Sequence, residues 1–161
     1  MPWPKPGVAA DYNDAEQAID AVLARDPQSI LLLRFSMEPP FWWREKHPDE
    51  LMQWQGPDGF SSLIEEREVG PVKHWVSVAS ELWRKEAGEH LSAFVQHMEG
   101  SKYGCHIVGY HFCGQNSHEW FYVGSRKEKL NCVEPVFVAA WRRWLNVKYG
   151  STTALRKAWG D

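Results

Sequence analysis

The chain has 161 residues, a formal net charge of −3 and a hydrophobic fraction of 43%. This composition predicts one globular domain over residues 1–161, excludes intrinsic disorder, and lacks the clustered Lys and Arg of a dedicated nucleic-acid binder. No segment approaches the ~20 apolar residues of a membrane span and no signal peptide is visible, so we expect no nucleic-acid or membrane partner. The sequence as written favours the cytoplasm but leaves the compartment open.

Two residue types stand out in the composition. The three cysteines are odd in number and form no C-x-x-C pair, which predicts free thiols rather than a disulfide framework. Ten tryptophans are unusual in a chain of this length. Because an indole ring stacks well on a flat amphipathic surface such as a sugar ring, the enrichment favours carbohydrate recognition, although any single Trp can equally belong to the core.

The first third of the chain predicts a helix followed by a strand. "DAEQAIDAVLARD" places four apolar residues on one helical face, with Asn13 or Asp14 available as a cap and Pro27 ending the helix. These four residues are Ala15, Ile19, Val22 and Leu23. The apolar run from Ile30 to Leu33 that follows is typical of a parallel strand buried on both faces.

A long aromatic and Pro-rich connection comes next, with room for a short helix around Asp49 to Trp54. Pro71 to Val78 is a candidate third strand. "SVASELWRKEAGEHLSAFVQHMEG" then has strong helical periodicity, with Ser77 as the expected N-cap and Gly100 as the stop.

The last third predicts a strand from His106 to Phe112, a loop from Cys113 to Val133, and two helices. The first helix starts near Glu134, with Pro135 in its first turn and Gly150 as a left-handed cap. Ser151 caps the second helix, which ends at Gly160. The alternation of strands and helices predicts an α/β fold with a parallel sheet. Two strands cannot close such a sheet, so we expect a partial (β/α)8 TIM-barrel segment, since a whole barrel takes ~250 residues.

The stretch "WRRWLNVKYGSTTALRKAWGD" resembles glycoside hydrolase family 42 and related β-galactosidase-like barrels, which read loosely W-L-x-x-K/R-Y-G-x-x-x-x-L-x-x-A-W-G there. "LLLRFSMEPPFWWREKHPDE" looks like an earlier strand and substrate-side loop of the same barrels. The resemblance implies that "HIVGYHF" is the fourth barrel strand and that Glu119, the next acidic residue, is the general acid/base.

The chain departs from the family pattern in three places. His118 stands where the family has Asn directly before the acid/base, and Asn116 lies upstream of it. The metal-binding cysteine cluster of many members is reduced to Cys113 and Cys132. The nucleophile carboxylate of the seventh strand has no counterpart.

The surroundings of Glu119 suit a proton donor. Retaining glycosidases use two carboxyl groups ~5–5.5 Å apart, one of which must keep its proton near neutral pH. Burial beside aromatic rings disfavours the carboxylate, and Glu119 is flanked by Trp120 and Phe121. The alternative is an ordinary loop or ion-pair glutamate.

Further side chains are candidates for binding the substrate. Arg34 and Glu38 could hold sugar hydroxyls, or Arg34 could pair with a neighbouring acid. Trp42 and Trp43 could form a stacking wall, or one of them could anchor the loop to the core. The remaining candidates are Asn116, which could instead merely turn the chain, and Trp120.

A zinc site built from His111, Cys113, His118 and Glu119 is the metal alternative, but this spacing matches no established template. We therefore expect no metal and no cofactor. The sequence predicts part of a retaining glycoside hydrolase for β-galactoside-type substrates, which alone should hydrolyse nothing at an enzymatic rate. The alternative is a non-catalytic carbohydrate-binding or interaction protein, in which a partial barrel completes itself as a homo-oligomer.

Overall fold

The computed structural model describes residues 2–56, 59–61, 75–115, 120 and 130–160. Helices and strands alternate through these residues, which agrees with an α/β fold. The helices are α1 (Asn13–Leu23), α2 (Phe41–Lys46), α3 (Glu81–Gly100), α4 (Pro135–Tyr149) and α5 (Thr152–Trp159). The strands are β1 (Leu31–Ser36), β2 (Trp54–Gly56), β3 (Gly59–Ser61), β4 (Ile107–Cys113) and β5 (Leu130–Asn131).

Strands β1 and β4 form a parallel pair, as the sequence predicts. Leu33 lies beside Tyr110 and Phe35 beside Phe112 in the register. The Met37 N–H donates to the Cys113 carbonyl at 2.7 Å, which carries the pairing one residue past β1. The carboxyl ends of the two strands therefore meet at one edge.

The prediction that β1 is buried on both faces is wrong. Its burial alternates along the strand, and Leu32 is 62% exposed. One face is covered by α3, whose Phe94 ring lies 5.2 Å from the ring of Phe35 and 6.4 Å from that of Tyr110. Leu32, by contrast, lines a groove whose opposite wall is α1.

Helix α1 packs on α3 through a polar and aromatic contact. The Glu16 carboxyl lies 2.7 Å from Nε2 of His97, and the Tyr12 ring stacks on the His97 ring at 4.0 Å. The expected cap is wrong, since Tyr12 is the N-cap residue and makes no side-chain capping bond. The Asn13 N–H is instead satisfied by the Asp11 carboxyl, which accepts it at 2.9 Å.

Helix α3 begins at Ser80 rather than at the expected Ser77. The Ser80 hydroxyl accepts the Trp83 N–H at 2.9 Å, whereas the Ser77 hydroxyl is engaged by Glu134. The residue before Ser77, Val76, is paired with Leu51 in an isolated β-bridge, so the chain is still extended there. The expected end of the helix at Gly100 is confirmed.

The long connection after β1 is more structured than the sequence indicates. The short helix expected at residues 49–54 is wrong, since α2 and a 3-10 turn at Pro48–Glu50 precede strand β2. Strands β3, β2 and β5 form a small antiparallel sheet in that order. Of the candidate strand Pro71–Val78, residues 71–74 lie outside the described residues, and Val76 makes only the single bridge to Leu51.

The two C-terminal helices confirm the sequence signals at their ends. Pro135 occupies the first turn of α4, and Gly150 ends it with a left-handed φ of 70°. The Ser151 hydroxyl accepts the Ala154 N–H at the start of α5, and Gly160 ends α5 with a φ of 86°. Both glycines supply the backbone conformation that a side chain would disfavour.

The core lies between α3 and the β1–β4 pair, with a smaller cluster near α4. The main cluster is centred on Trp43, Val76, Phe94 and Met98, and the smaller one contains Met52, Trp75 and Cys132. None of the three cysteines, Cys105, Cys113 and Cys132, is in a disulfide, as expected. Among the described residues, no helix is both long and apolar enough to cross a bilayer.

Candidate active site at the strand ends

The Glu38 carboxyl joins the carboxyl ends of β1 and β4. Glu38 follows β1 by two residues, and its Oε1 accepts the backbone N–H of Gln115 just past β4 at 2.9 Å. Its Oε2 accepts the Val76 N–H at a longer 3.5 Å. Three chain segments that are distant in sequence thus converge on one carboxyl group.

Burial raises the pKa of the Glu38 carboxyl above its ordinary value of 4.5. The N–H bonds from Gln115 and Val76 and the nearby Arg44 guanidinium favour the carboxylate but do not offset the loss of hydration. Arg44 is held in place because its Nε donates to the Pro39 carbonyl at 2.7 Å. Glu38 therefore retains a proton more readily than an exposed glutamate.

The chain turns sharply where β4 ends. Gln115 has a left-handed φ of 54°, and Trp120 has one of 59°. The Trp120 N–H donates to the Gly114 carbonyl at 3.0 Å, and its indole covers Gly114 so closely that a Cβ there would meet the ring at 2.8 Å. Gly114 thus leaves the space that the indole occupies at the strand end.

Two tryptophan rings meet beside these strand ends. The Trp120 ring lies 6.3 Å from the buried ring of Trp83, and its Nε1 donates to the Phe112 carbonyl at 3.3 Å. Nε1 of Trp83 donates to the Met37 carbonyl at 3.0 Å, next to Glu38. Trp120 remains 38% exposed, so its ring presents a partly open aromatic surface at the strand ends.

A second carboxyl group, that of Glu134, is fully buried below the N-terminus of α4. Its Oε1 accepts the Ser77 hydroxyl in a short hydrogen bond, and its Oε2 accepts the Gln53 N–H at 3.1 Å. Ser77 directly follows Val76, the donor to Glu38. The segment 75–77 therefore connects the half-buried carboxyl of Glu38 with the buried carboxyl of Glu134.

The residues expected from sequence fall into three groups. Glu119 and Asn116 lie outside the described residues, as does His118. Glu38 and Trp120 are both at the strand ends, where the sequence predicts a site. Arg34 lies farther back in β1, beside His111 in the register, and the cation that acts on Glu38 is Arg44.

Trp42 and Trp43 have different environments. Trp43 is fully buried, and its Nε1 donates to Oε2 of Glu86 at 2.6 Å, so it anchors α2 to α3. Trp42 is half-buried and lines a separate cleft of about 300 Å³ together with Trp3 and His90. Of the two adjacent tryptophans, only Trp42 has ring surface open to a ligand.

Two of the four residues in the zinc alternative, His118 and Glu119, lie outside the described residues. His111 is exposed, whereas Cys113 is buried and its thiol lies 3.2 Å from the Phe35 carbonyl. No group of three or more His, Cys, Asp or Glu side chains within the described residues could hold a metal ion.

The sequence interpretation missed Glu134, Ser77 and Gln115 as members of this site. One signal was present for Glu134, which stands directly before Pro135 at a helix start. That position favours Ser, Thr, Asp or Asn, so a glutamate there suggests a role other than capping. The sequence predicts Ser77 as a helix N-cap, and the left-handed conformation of Gln115 has no signature in its residue type.

Comparison with known proteins leaves the family open. No protein-family model matches the chain. No curated protein matches it either.

Proposed function

We propose that the chain forms the acid/base side of a glycoside hydrolase site of the β-galactosidase-like type, built on two adjacent strands of a (β/α)8-type barrel. The observation that carries this proposal is the strand-end cluster. A carboxyl with a raised pKa bridges the ends of two parallel strands, and the partly exposed Trp120 indole lies at the end of one of them, β4. In β/α barrels, active sites form at this end of the strands.

Within this proposal Glu119 is the catalytic acid/base. It would protonate the glycosidic oxygen as the bond to the leaving group breaks, and then take a proton from the attacking water. Trp120, which directly follows Glu119 in the sequence, lies over the end of β4. The nucleophile of a retaining mechanism has no residue assigned to it in this chain.

Glu38 and Trp120 are the proposed substrate-binding groups. Each Glu38 oxygen accepts one backbone N–H and keeps a second lone pair, so the carboxyl can still accept a sugar hydroxyl. The exposed part of the Trp120 ring offers a stacking surface for the apolar face of a pyranose. The left-handed φ values of Gln115 and Trp120 support a functional role, since backbone strain concentrates at such sites.

A titration with methyl β-galactoside followed by tryptophan fluorescence tests the proposed binding role of Trp120. We expect a saturable change in emission in the wild-type protein and an at least tenfold higher Kd in Trp120→Phe, because the smaller phenyl ring offers less stacking surface. Trp159→Phe is the matched control, because Trp159 is also an exposed indole but lies on α5. Equal responses in both variants would contradict the assignment of Trp120.

The second candidate function is carbohydrate binding without catalysis. The observation that favours it is the cleft lined by Trp3 and Trp42, in which aromatic rings occur beside carboxyl and imidazole groups. A sugar bound there would need no acid/base residue. Sugar binding that is unaffected by changes at both Trp120 and Glu119 would favour this second function.

A further inference from the structure

The structure leaves an apolar groove between α1 and β1. Apolar side chains of α1, among them Ile19 and Val22, form one wall, and β1 from Leu31 to Phe35 forms the other, with Phe94 contributing from α3. The cavity volume is about 580 Å³, which lies within the ~300–1,000 Å³ typical of ligand pockets. Leu32 is 62% exposed and Val22 is 43% exposed, so much of this apolar surface is open.

The α1 side of this groove is acidic. Asp11 and Asp14 line it and both are exposed, whereas the β1 wall carries one exposed cation, Arg34. Residues 11–26 have five acidic residues and one basic residue, and two of those acids, Glu16 and Asp20, already contact His97 and Lys102. The α1 side of the groove therefore favours an occupant that is both apolar and basic.

Helices α4 and α5 present a surface with those properties, here called the aromatic–basic patch, formed by Trp141, Trp144, Lys148, Tyr149 and Trp159. The rings of Trp141 and Trp144 stack at 4.8 Å, and the Lys148 ammonium lies 4.5 Å from the centre of the Trp144 ring. Nε1 of Trp159 donates to the Tyr149 hydroxyl at 3.2 Å, which joins α5 to α4.

The patch is exposed and carries only positive charge. Trp141, Trp144 and Trp159 are 44%, 45% and 59% exposed. Residues 135–160 contain five basic residues and no acidic one, whereas the chain as a whole has a net charge of −3. One of the five, Arg143, pairs with Glu81 of α3. Exposed indoles gathered in this way mark an interaction surface, because single-chain soluble proteins rarely expose large contiguous apolar patches.

We propose that the aromatic–basic patch of one molecule docks into the groove of a second copy of the same chain, against its acidic α1 side. The two surfaces are complementary in both polarity and charge. They lie on different parts of the molecule, because the patch belongs to α4 and α5 and the groove lies between α1 and β1. The contact is therefore heterologous, with each molecule offering one patch and one groove, and repetition of the contact gives a ring or an open chain. This inference does not depend on the proposed glycosidase function.

The experiment is size-exclusion chromatography with light scattering across a concentration series. We expect the wild-type protein to form species larger than a monomer, with a concentration dependence that weakens in high salt because the charges are screened. Val22→Glu in the groove and Trp144→Glu in the patch should each weaken association about 30-fold or more. Val8→Glu is the matched control, because Val8 is 60% exposed and belongs to neither surface.

The decisive step is mixing the two defective variants. Val22→Glu keeps an intact patch and Trp144→Glu keeps an intact groove, so their mixture should form a 1:1 complex that grows no further. A monomeric wild type, a mixture that stays monomeric, or a patch-to-patch dimer that is insensitive to Val22→Glu would each overturn the proposal. If circular dichroism shows that either variant does not fold, exposed charge reversals take their place. Asp14→Lys then replaces Val22→Glu, and the double variant Arg156→Glu with Lys157→Glu replaces Trp144→Glu. The outcomes that support or overturn the proposal stay the same.

Discussion

At the scale of single residues, Glu38 is the side chain whose environment departs most from that of an ordinary glutamate. Both of its carboxyl oxygens accept backbone N–H groups, yet burial still raises its pKa. A carboxyl that binds a proton more tightly when folded than when unfolded makes stability depend on pH. Because the folded state then holds more protons, stability falls as the pH rises.

Glu38→Gln tests this pH dependence. As the pH rises from about 4.5 through the raised pKa of Glu38, the wild-type free energy of unfolding should lose a contribution that the variant lacks. The free energy of unfolding of Glu38→Gln, relative to that of the wild type, should therefore increase with rising pH. The amide also replaces one carboxyl oxygen with an NH₂ group, so the test is the change of this difference with pH and not its value at one pH. Urea unfolding between pH 4 and pH 8 measures it, with Glu45→Gln on α2 as the control for losing an exposed carboxyl. Parallel curves for wild type and Glu38→Gln would contradict this account of the site.

Residue-level reasoning from sequence reaches Glu38 and Trp120 but not their partners. A glutamate after an apolar strand and a Trp in an aromatic loop are both visible in the residue order. The N–H donors of Gln115 and Val76 are not, because backbone groups leave no trace in residue type. The burial that sets the pKa of Glu38 likewise arises only when distant segments pack together.

At the scale of elements, local signals predict the ends of α4 and α5 but not the starts of α1 and α3. Pro135, Gly150 and Ser151 fix their helix ends through local backbone geometry, which needs no tertiary information. The start of α3 was misassigned because two serines, Ser77 and Ser80, could each serve as the cap. The tertiary bond between Ser77 and Glu134 decides between them.

The stability contribution of the α3 cap can be measured directly. Ser80→Ala should lower the free energy of unfolding by about 1–2 kcal/mol, because the buried Trp83 N–H loses its acceptor. Ser151→Ala at α5 is the control and should cost less, since its helix start is exposed and water can replace the hydroxyl. Urea unfolding of both variants compares the two caps. A larger loss at Ser151 would argue against Ser80 as the N-cap of α3.

The short elements in the connection after β1 could not be found from sequence. β2 and β3 have three residues each and β5 has two, too few to establish an alternating pattern. β5 also pairs with β2 across more than seventy intervening residues. Such strands are defined by their partners rather than by their own composition.

At the scale of the whole molecule, the alternation of helices and strands correctly predicts a parallel β1–β4 pair with α3 between them. The expectation of a strand buried on both faces is the part that was wrong, and it shows where pattern reasoning stops. An apolar run such as "ILLL" predicts that its side chains are buried, but it does not indicate which element buries them. Here one face of the pair meets α3, while Leu32 on the other face is mostly exposed.

The molecule has two proposed interaction regions, one for a sugar and one for a second copy of the chain. The strand-end cluster, with Glu38 and Trp120, is the proposed sugar site. The groove and the aromatic–basic patch are the proposed contacts between copies. No described residue is required by both proposals, so each can fail without the other.

The measurement that tests the central claim most directly is the affinity of wild type and Glu119→Gln for a galactose-configured iminosugar, determined by calorimetry near neutral pH. The ring nitrogen of this ligand is basic, so on binding it can take the proton of the Glu119 acid and form an ion pair with the resulting carboxylate. The account predicts binding to the wild-type protein and at least tenfold weaker binding to Glu119→Gln, the loss expected for a charge-assisted contact. Equal affinities in the two proteins, or no binding to either, would contradict the assignment of Glu119 as the acid/base of a galactoside site.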